Sequence, residues 1–399
     1  MSAIVKEKPR YKPETADIFN SVMSLAANDR ADLPSSLVAH QDAAAALFKQ
    51  YGVPFARLER WKYSNFYPVL KKMDLAPSIL ADLWQGDLSY IKPIKDMLDQ
   101  DWVVDALAAQ APQSEGAHDD YAFWHLNTVQ SHQGWVLDIP DNTEVKAPLI
   151  LNTMNKDGTY NAMRLLIRLG KNARVTLREK HSGETQDASY FKNWVTQVIV
   201  GEGAALTHLR DQGDTQNAAY VQSTHVDLAR DAQYTSLTIN TGALIFRNQV
   251  HVDLNGAGAH ASVRSSANVS GDQHIDLTTT MAHNVPSSTS NQIVRNVLAG
   301  KSKGVFQGKV CVAKGADFTD GSQSSKAILM SPFASMHAKP ELEIYADEVK
   351  CAHGATCGAL DESALFYARS RGIAYDDARA MLIEAFLEEV KDGLPTENE

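Results

Sequence analysis

Near its C-terminus the 399-residue chain reads EVKCAHGATCG over Glu348–Gly358, with two of its three cysteines set around a histidine. Thiolate and imidazole are good ligands for iron or zinc, and a thiolate can also carry persulfide sulfur. On a strand, residues two apart face the same way. Cys351 and His353 would then project together, with Ala352 opposite. Two side chains supply half of a tetrahedral shell. Cys357 lies beyond Gly354 and could fold back, which would still leave one ligand wanting. An incomplete set suits a site shared across an interface, or a transient stop for a metal ion. Equally, Cys351 could be a small buried hydrophobe and His353 a hydrogen-bonded histidine. Cys311, in GKVCVAKG, alternates with valines and reads as core. His260, His274 and His283 sit in polar or small-residue contexts and read as surface or hydrogen-bonded side chains.

Other catalytic signatures are missing from the sequence. There is no GxxxxGK[ST] loop for nucleotide phosphates, no HExxH, no paired CxxC and no GxSxG elbow. GAGAH (Gly256–His260) lacks a following helical pattern and reads as a β turn. The net charge of −10 argues against non-specific nucleic-acid binding, which runs on counterion release by basic patches. An odd count of three cysteines gives no disulfide framework and suits a reducing cytoplasm. The first residues, MSAIVKEKPRYKPETADIF, lack the apolar run of a secretory signal, and no apolar run is long enough to span a bilayer. A cytoplasmic protein that touches neither membrane nor nucleic acid is expected.

Three textures divide the chain. Residues 1–118 carry helical periodicity, as in PETADIFNSVMSLAAN, SSLVAHQDAAAALFKQYG and KDMLDQDWVVDALAAQ. Between these, FARLERWKYSNFYPVL is aromatic and basic and reads as a packed connector. The polar segment Pro112–Asp120 marks a boundary. From 119 to 358, short runs alternate apolar and polar residues and are split by Gly, Asn and Asp. In VHVDL, Val250, Val252 and Leu254 share one face while His251 and Asp253 share the other. So long an alternation without helical interruption, with small residues crowding the turns, favours a β-helix in which each coil buries its neighbour's open edge. A β-sandwich pair is the structural rival, and the spacing is not strict enough to count coils. Residues 359–399 return to helix. Asp361 is a plausible cap, Gly372 a stop, and Ala378, Met381, Leu382, Ala385, Phe386 and Val390 line one face of the second helix. Two short helices make no core of their own, so that face must lie on the β-domain or on another chain.

HAKPELEIYADEVKCAHGATCGALDESALFYARSRGI resembles the C-terminal signature of the SufB/SufD family of iron–sulfur cluster assembly proteins. The Pro-Glu-Leu-Glu string and the Lys-Cys-x-His-Gly-Ala-Thr string are expected of the SufD branch rather than the SufB branch. GVFQGKVCVAKGADFTDGSQSSKAILMS, RWKYSNF and GWVLDIPDNTEVKAPLIL continue the resemblance upstream, over most of the chain. The resemblance implies a mainly β protein, a right-handed parallel β-helix between helical ends. It implies a non-catalytic scaffold subunit that pairs with SufB, each partner carrying one copy of the ATPase SufC. The complex would build nascent clusters from persulfide and iron, held transiently and shared with SufB, with no tightly bound cofactor of its own. His353 would match the family histidine near the SufB–SufD interface, implicated in cluster formation or iron entry, and Cys351 its neighbouring cysteine. Leu365, Phe366, Tyr367, Arg369, Arg371 and Gly372 would lie in the segment that contacts SufC. No family role carries over to Cys357.

Two other classes compete. β-Helix proteins include polysaccharide lyases and hydrolases that use carboxylates in a groove, although those are usually secreted. A purely structural interaction module would leave Cys351 and His353 without chemistry. Without its partner the chain could form a homodimer, because an exposed β-helix edge needs covering.

Overall fold

The computed structural model describes residues 12–28, 30–78, 83–112 and 118–394. Most of the segment read as a secretory-signal test, and the middle of the Pro112–Asp120 boundary, lie outside them.

Alternation of period two dominates the chain from 134 to 358, and it folds as a parallel β-solenoid of about eight turns. Each turn gives one strand to each of two sheets. The first sheet runs through β3 (Ile91–Pro93), β4 (Gly134–Ile139), β6 (Thr159–Leu169), β8 (Tyr190–Val200) and β10 (Ala219–Leu228). It continues through β12 (Ile245–Leu254), β14 (His274–His283), β16 (Lys303–Val312) and β18 (Ser335–Ile344), with β1 (Ala76–Pro77) beside β6. The second runs through β2 (Leu83–Gln85), β5 (Leu149–Asn155), β7 (Arg174–Gly183), β9 (Ala205–Gln212) and β11 (Gln233–Asn240). It ends with β13 (His260–Val269), β15 (Thr289–Leu298), β17 (Asp320–Leu329) and β19 (Lys350–Gly358). Pairing is in register, so that Val226, Val252 and Met281 stack rung on rung inside the coil. Corner residues Asn142, Asn172, Gly203, Asp231, Gly258, Ser287 and Phe318 all take positive φ. Their chemical variety explains why the coils could not be counted from the sequence.

The two ends of the solenoid differ. At the N-terminal end the chain lays β2 and β3 antiparallel on β5 and β4, and Trp84 and Trp135 meet edge to face at 6.1 Å. These short strands precede the β-rich texture and were not legible as strands. At the C-terminal end β18 and β19 are the last rung, and no strand of the described residues lies beyond them.

Helices α1 (Asn20–Asn28), α2 (Ser35–Tyr51), α3 (Tyr67–Leu70), α4 (Asp101–Ala108) and α5 (Ala122–Thr128) come before the solenoid. Phe19, Phe48, Trp61, Phe66 and Phe123 pack with Tyr160 and Phe191 on the outer face of the first sheet. The aromatic connector is therefore packed core at Trp61 and Phe66, as its composition suggests. Helices α6 (Glu362–Ser370) and α7 (Tyr375–Glu388) follow the solenoid. Asp361 caps α6 by accepting from the Ser363 and Ala364 amides. The end of the tail is tied to the outer face of the second sheet: Arg295 pairs with Glu389 at 2.7 Å, and Arg264 donates to the Val390 carbonyl at 3.1 Å.

Inside the solenoid one stretch is ionic. Glu179 on β7 accepts from Arg210 Nε at 2.6 Å and from His181 and His208 at 3.0 Å each, all buried. Next to it Lys192 Nζ reaches Asp214 at 3.0 Å, and Tyr190 and Gln212 donate to the same carboxylate. Burial keeps three histidines neutral: it pushes His181, His274 and His283 down to about 4. His274 is held by Ser64 at 2.8 Å, and His283 lies between Ser288 and Ser290. In the unfolded chain each would bind a proton near pH 6.5. Between about pH 6.5 and 4 the unfolded state therefore holds more protons, and stability falls as pH falls. At about 1.4 kcal/mol per pH unit, each histidine should cost roughly 2 kcal/mol on going from pH 6.5 to 5. Urea unfolding at the two pH values should show a loss of several kcal/mol, and His283→Gln should reduce the slope by about one proton. An unchanged midpoint would mean that the interior histidines are charged or hydrated.

Candidate functional site

Cys351, His353 and Cys357 all lie on β19, the final strand of the second sheet. Register sets their direction. Cys351 pairs with Gly321, His353 with Gln323, and Cys357 with Ala327. Those three partners are buried positions of β17. The two cysteines and the histidine therefore share the inward face of the last coil, where no further rung among the described residues covers them. Cys351 is half-buried against the core, its Sγ 3.5 Å from where a Gly321 Cβ would sit. His353 and Cys357 are exposed. The expectation that Cys351 and His353 project together holds.

Cys357 does not fold back. The strand continues through it, and six residues of extended chain separate it from Cys351 by about 20 Å. Burial raises the pKa of both thiols. Such cysteines become ligands or nucleophiles only when a cation or a partner's charge favours the thiolate. Cys351 and His353 alone thus offer two donors at an open end.

Cys311 corrects the reading of its strand. Val310 and Val312 point into the coil, so alternation sends Cys311 outward. It donates to Glu343 of β18 at 3.3 Å, and burial pushes its thiol up to about 11. The histidines of the mixed contexts are mostly inside: His274 and His283 are buried and hydrogen-bonded, and only His260 is near the surface, 2.7 Å from Thr289.

At the open end Phe318 and Tyr345 lie at one corner of the last rungs, 64% and 63% exposed, and Phe333 at the opposite corner, 74% exposed. Large apolar side chains left exposed suit an interaction surface. β18 and β19 also present backbone groups with no further strand to pair them. Pro340 lies within β18, a placement that suits an edge strand because proline gives no amide to a ladder.

The tail residues separate into two kinds. Leu365 is buried and holds α6 in place. Phe366 and Tyr367 are 73% and 61% exposed, with Arg369, Arg371 and Gly372 exposed beside them. Arg371 donates to the Tyr367 hydroxyl at 3.2 Å, and the Arg369 guanidinium lies over the Tyr375 ring. On α7 the apolar face read from the sequence is only partly covered. Ala378 and Val390 are buried, but Met381 is 55% exposed and Ala385 is exposed.

A third constellation was missed. His225, His251 and Asp253 gather on the outer face of β10 and β12. The signal was available: HVDL occurs twice, at His225–Leu228 and His251–Leu254, one coil apart.

The model of the family described as SUF system FeS cluster assembly, SufBD core domain, matches residues 152–386. An iron–sulfur cluster assembly SufBD family protein of Synechocystis is 28% identical over 400 residues, covering 90% of this chain and 88% of that protein. The iron–sulfur cluster assembly protein SufD of Escherichia coli is 33% identical over 229 residues, 57% of this chain and 54% of that protein's length. SufD of Bacillus subtilis is 25% identical over 285 residues, 70% of this chain and 64% of that protein. Among the described residues, no helix is long and apolar enough to cross a membrane.

Proposed function

The chain belongs to the SufBD family of SUF-system iron–sulfur cluster assembly proteins, and from that membership we propose that it is the SufD-like, non-catalytic scaffold subunit of a cytoplasmic SufB–SufC–SufD complex. The observation that carries this reading is the unlike pair of ends. The chain closes its own N-terminal end with β2 and β3 and leaves the C-terminal rung bare. That bare rung carries the half set of donors, Cys351 and His353. A β-rich partner laid on β18 and β19 would pair their free backbone groups and cover Phe333 and Tyr345. It would also bring further ligands to Cys351 and His353. Iron and persulfide sulfur are then cargo, gathered where two chains meet. With no partner present, a second copy of this chain would answer the same need, less well in chemistry but as well in hydrogen bonds.

The tail supports the second contact. Phe366, Tyr367, Arg369, Arg371 and Gly372 form an exposed aromatic and cationic surface on α6 and the turn after it, with Leu365 supporting it from beneath. Aromatic residues and arginine are the side chains that dominate binding energy at interfaces. An ATPase seated there would supply the nucleotide site that this sequence lacks. Membership of the family displaces the polysaccharide-active reading.

Co-expression with SufB and SufC tests both contacts at once. The wild-type chain should elute with both, and Phe366→Asp with Tyr367→Asp should lose SufC while retaining SufB. Elution of the wild-type chain free of SufB would remove the interface reading. Retention of SufC by the double variant would place the ATPase dock elsewhere.

A further inference from the structure

In-register stacking of the two HVDL strings puts His225 directly beside His251, and Asp227 beside Asp253, on neighbouring strands. Adjacent strands lie about 4.8 Å apart and same-face residues along one strand about 6.6 Å apart. Such a lattice gathers four polar side chains on one small patch outside the coil, while Val226, Leu228, Val252 and Leu254 point inward. Asp253 is the hub. Its Oδ2 lies 2.7 Å from His225 Nε2 and its Oδ1 3.3 Å from His251 Nε2. The two imidazoles meet edge to face at 5.3 Å, and the donor atoms of all three residues lie within 4.8 Å of one another.

We infer that His225, His251 and Asp253 form a binding site for a divalent transition-metal ion of the Fe²⁺ or Zn²⁺ class, separate from the Cys351–His353 end. Two imidazoles and one carboxylate are a ligand set that these ions favour, and it leaves coordination positions open. Ligands placed about 2 Å from a common ion in a tetrahedron sit about 3.3 Å apart, close to the two separations found here. Binding an ion would draw together ligand atoms that lie within 4.8 Å of one another.

The protonation change is simple. In the metal-free arrangement each neutral imidazole can donate its Nε2 proton to Asp253. With metal on Nε2 that proton resides on Nδ1 instead, and at His251 this nitrogen is buried without a hydrogen-bond partner, a cost that the metal bonds must offset.

The surroundings hold the ligands in place. Asn284 donates to Asp253 Oδ1 at 3.3 Å and to Asn255 Oδ1 at 2.9 Å, and Asn255 donates to Asp227 at 3.1 Å. Outer hydrogen bonds of this kind orient metal-binding carboxylates. Asp227 adds a second negative charge within the patch. Arg60 is the opposing charge, and both its Nη atoms are held by the Thr280 hydroxyl on the next strand. The three ligand side chains keep 19%, 11% and 22% exposure, which gives an ion a path from solvent.

The test uses the full-length chain without an affinity tag, carrying Cys351→Ser and His353→Ala so that the open end cannot contribute. After chelator treatment it is titrated with Co²⁺, and with Zn²⁺ in competition. One equivalent should bind, and the X-ray absorption of the bound ion should show nitrogen and oxygen neighbours without sulfur. Adding His225→Gln and His251→Gln should weaken binding at least about 100-fold. Asp253→Asn alone should weaken it as well, and as an isosteric change it remains informative should the double variant fold poorly. The proposal is overturned if the starting background binds no metal, or if folded triad variants, matched by circular dichroism, bind with unchanged affinity.

Discussion

Within the proposed SufB–SufC complex, His353→Ala should leave the chain folded and bound, yet lower the cluster on the purified complex at least ten-fold. The physical case has two halves. His353 is exposed on the last strand, and no rung among the described residues covers it. Removing an exposed side chain away from packing or capping usually changes stability by no more than about 0.5 kcal/mol. Its chemical value is of another kind. If partner ligands complete the set at Cys351 and His353, loss of one ligand or its orienting neighbour weakens metal retention by about 10–100-fold. The measurement is iron and acid-labile sulfide per complex after reconstitution. Thr356→Ala is the control, because Thr356 lies on the same strand but faces outward. Equal cluster content in wild type and His353→Ala would remove His353 from the mechanism. Loss in the Thr356 control would instead point to damage of the rung.

A second large effect should come from the solenoid interior. Glu179→Gln should destabilise the chain by about 3–5 kcal/mol, the usual cost of breaking a buried ion pair from one side. Arg210, His181 and His208 all meet this single carboxylate within the coil. Burial would raise the Glu179 pKa, but Arg210 and the two histidines outweigh it and hold the group well below the usual carboxylate range. The pair therefore stabilises the fold above the ordinary glutamate pKa, and that contribution is lost only as pH falls through the lower folded value. Replacing both partners, Glu179→Leu with Arg210→Met, should recover much of the loss, because two apolar groups leave no orphan charge. Urea unfolding of the singles and the double gives the coupling directly. Single variants within 1 kcal/mol of wild type would show that water reaches the network.

How much of this was visible in the residues alone varies with distance along the chain. Alternation in VHVDL or RVTLREK specifies which residues share a face, and that is enough for a β-solenoid. It does not say which face is inside when both carry polar groups. Glu179 follows Val175 and Leu177 at the same parity, so it enters the coil despite its charge. Cys311 was misread for the opposite reason: its parity differs from that of the valines, and apolar neighbours were taken as company rather than contrast. Cys351 and His353 were legible as a pair because strand geometry is local. The stacking of His225 on His251 is not local, since it needs the coil length, and varied corner residues hid that length. Strands β2 and β3 are three residues each, too short to show a period.

The unlike ends also set a limit on growth. A rod adhesive at both tips would add copies without stopping, as stacked strands do in fibrils. Among the described residues, this rod ends in the short antiparallel strands β2 and β3 at one tip and in the long parallel strands β18 and β19 at the other. Two such rods joined at β18 and β19 would leave only the short-stranded tips facing outward. In the proposed pairing growth would halt at the first step, and the donors at the junction would sit at the middle of the assembly rather than repeat along a filament.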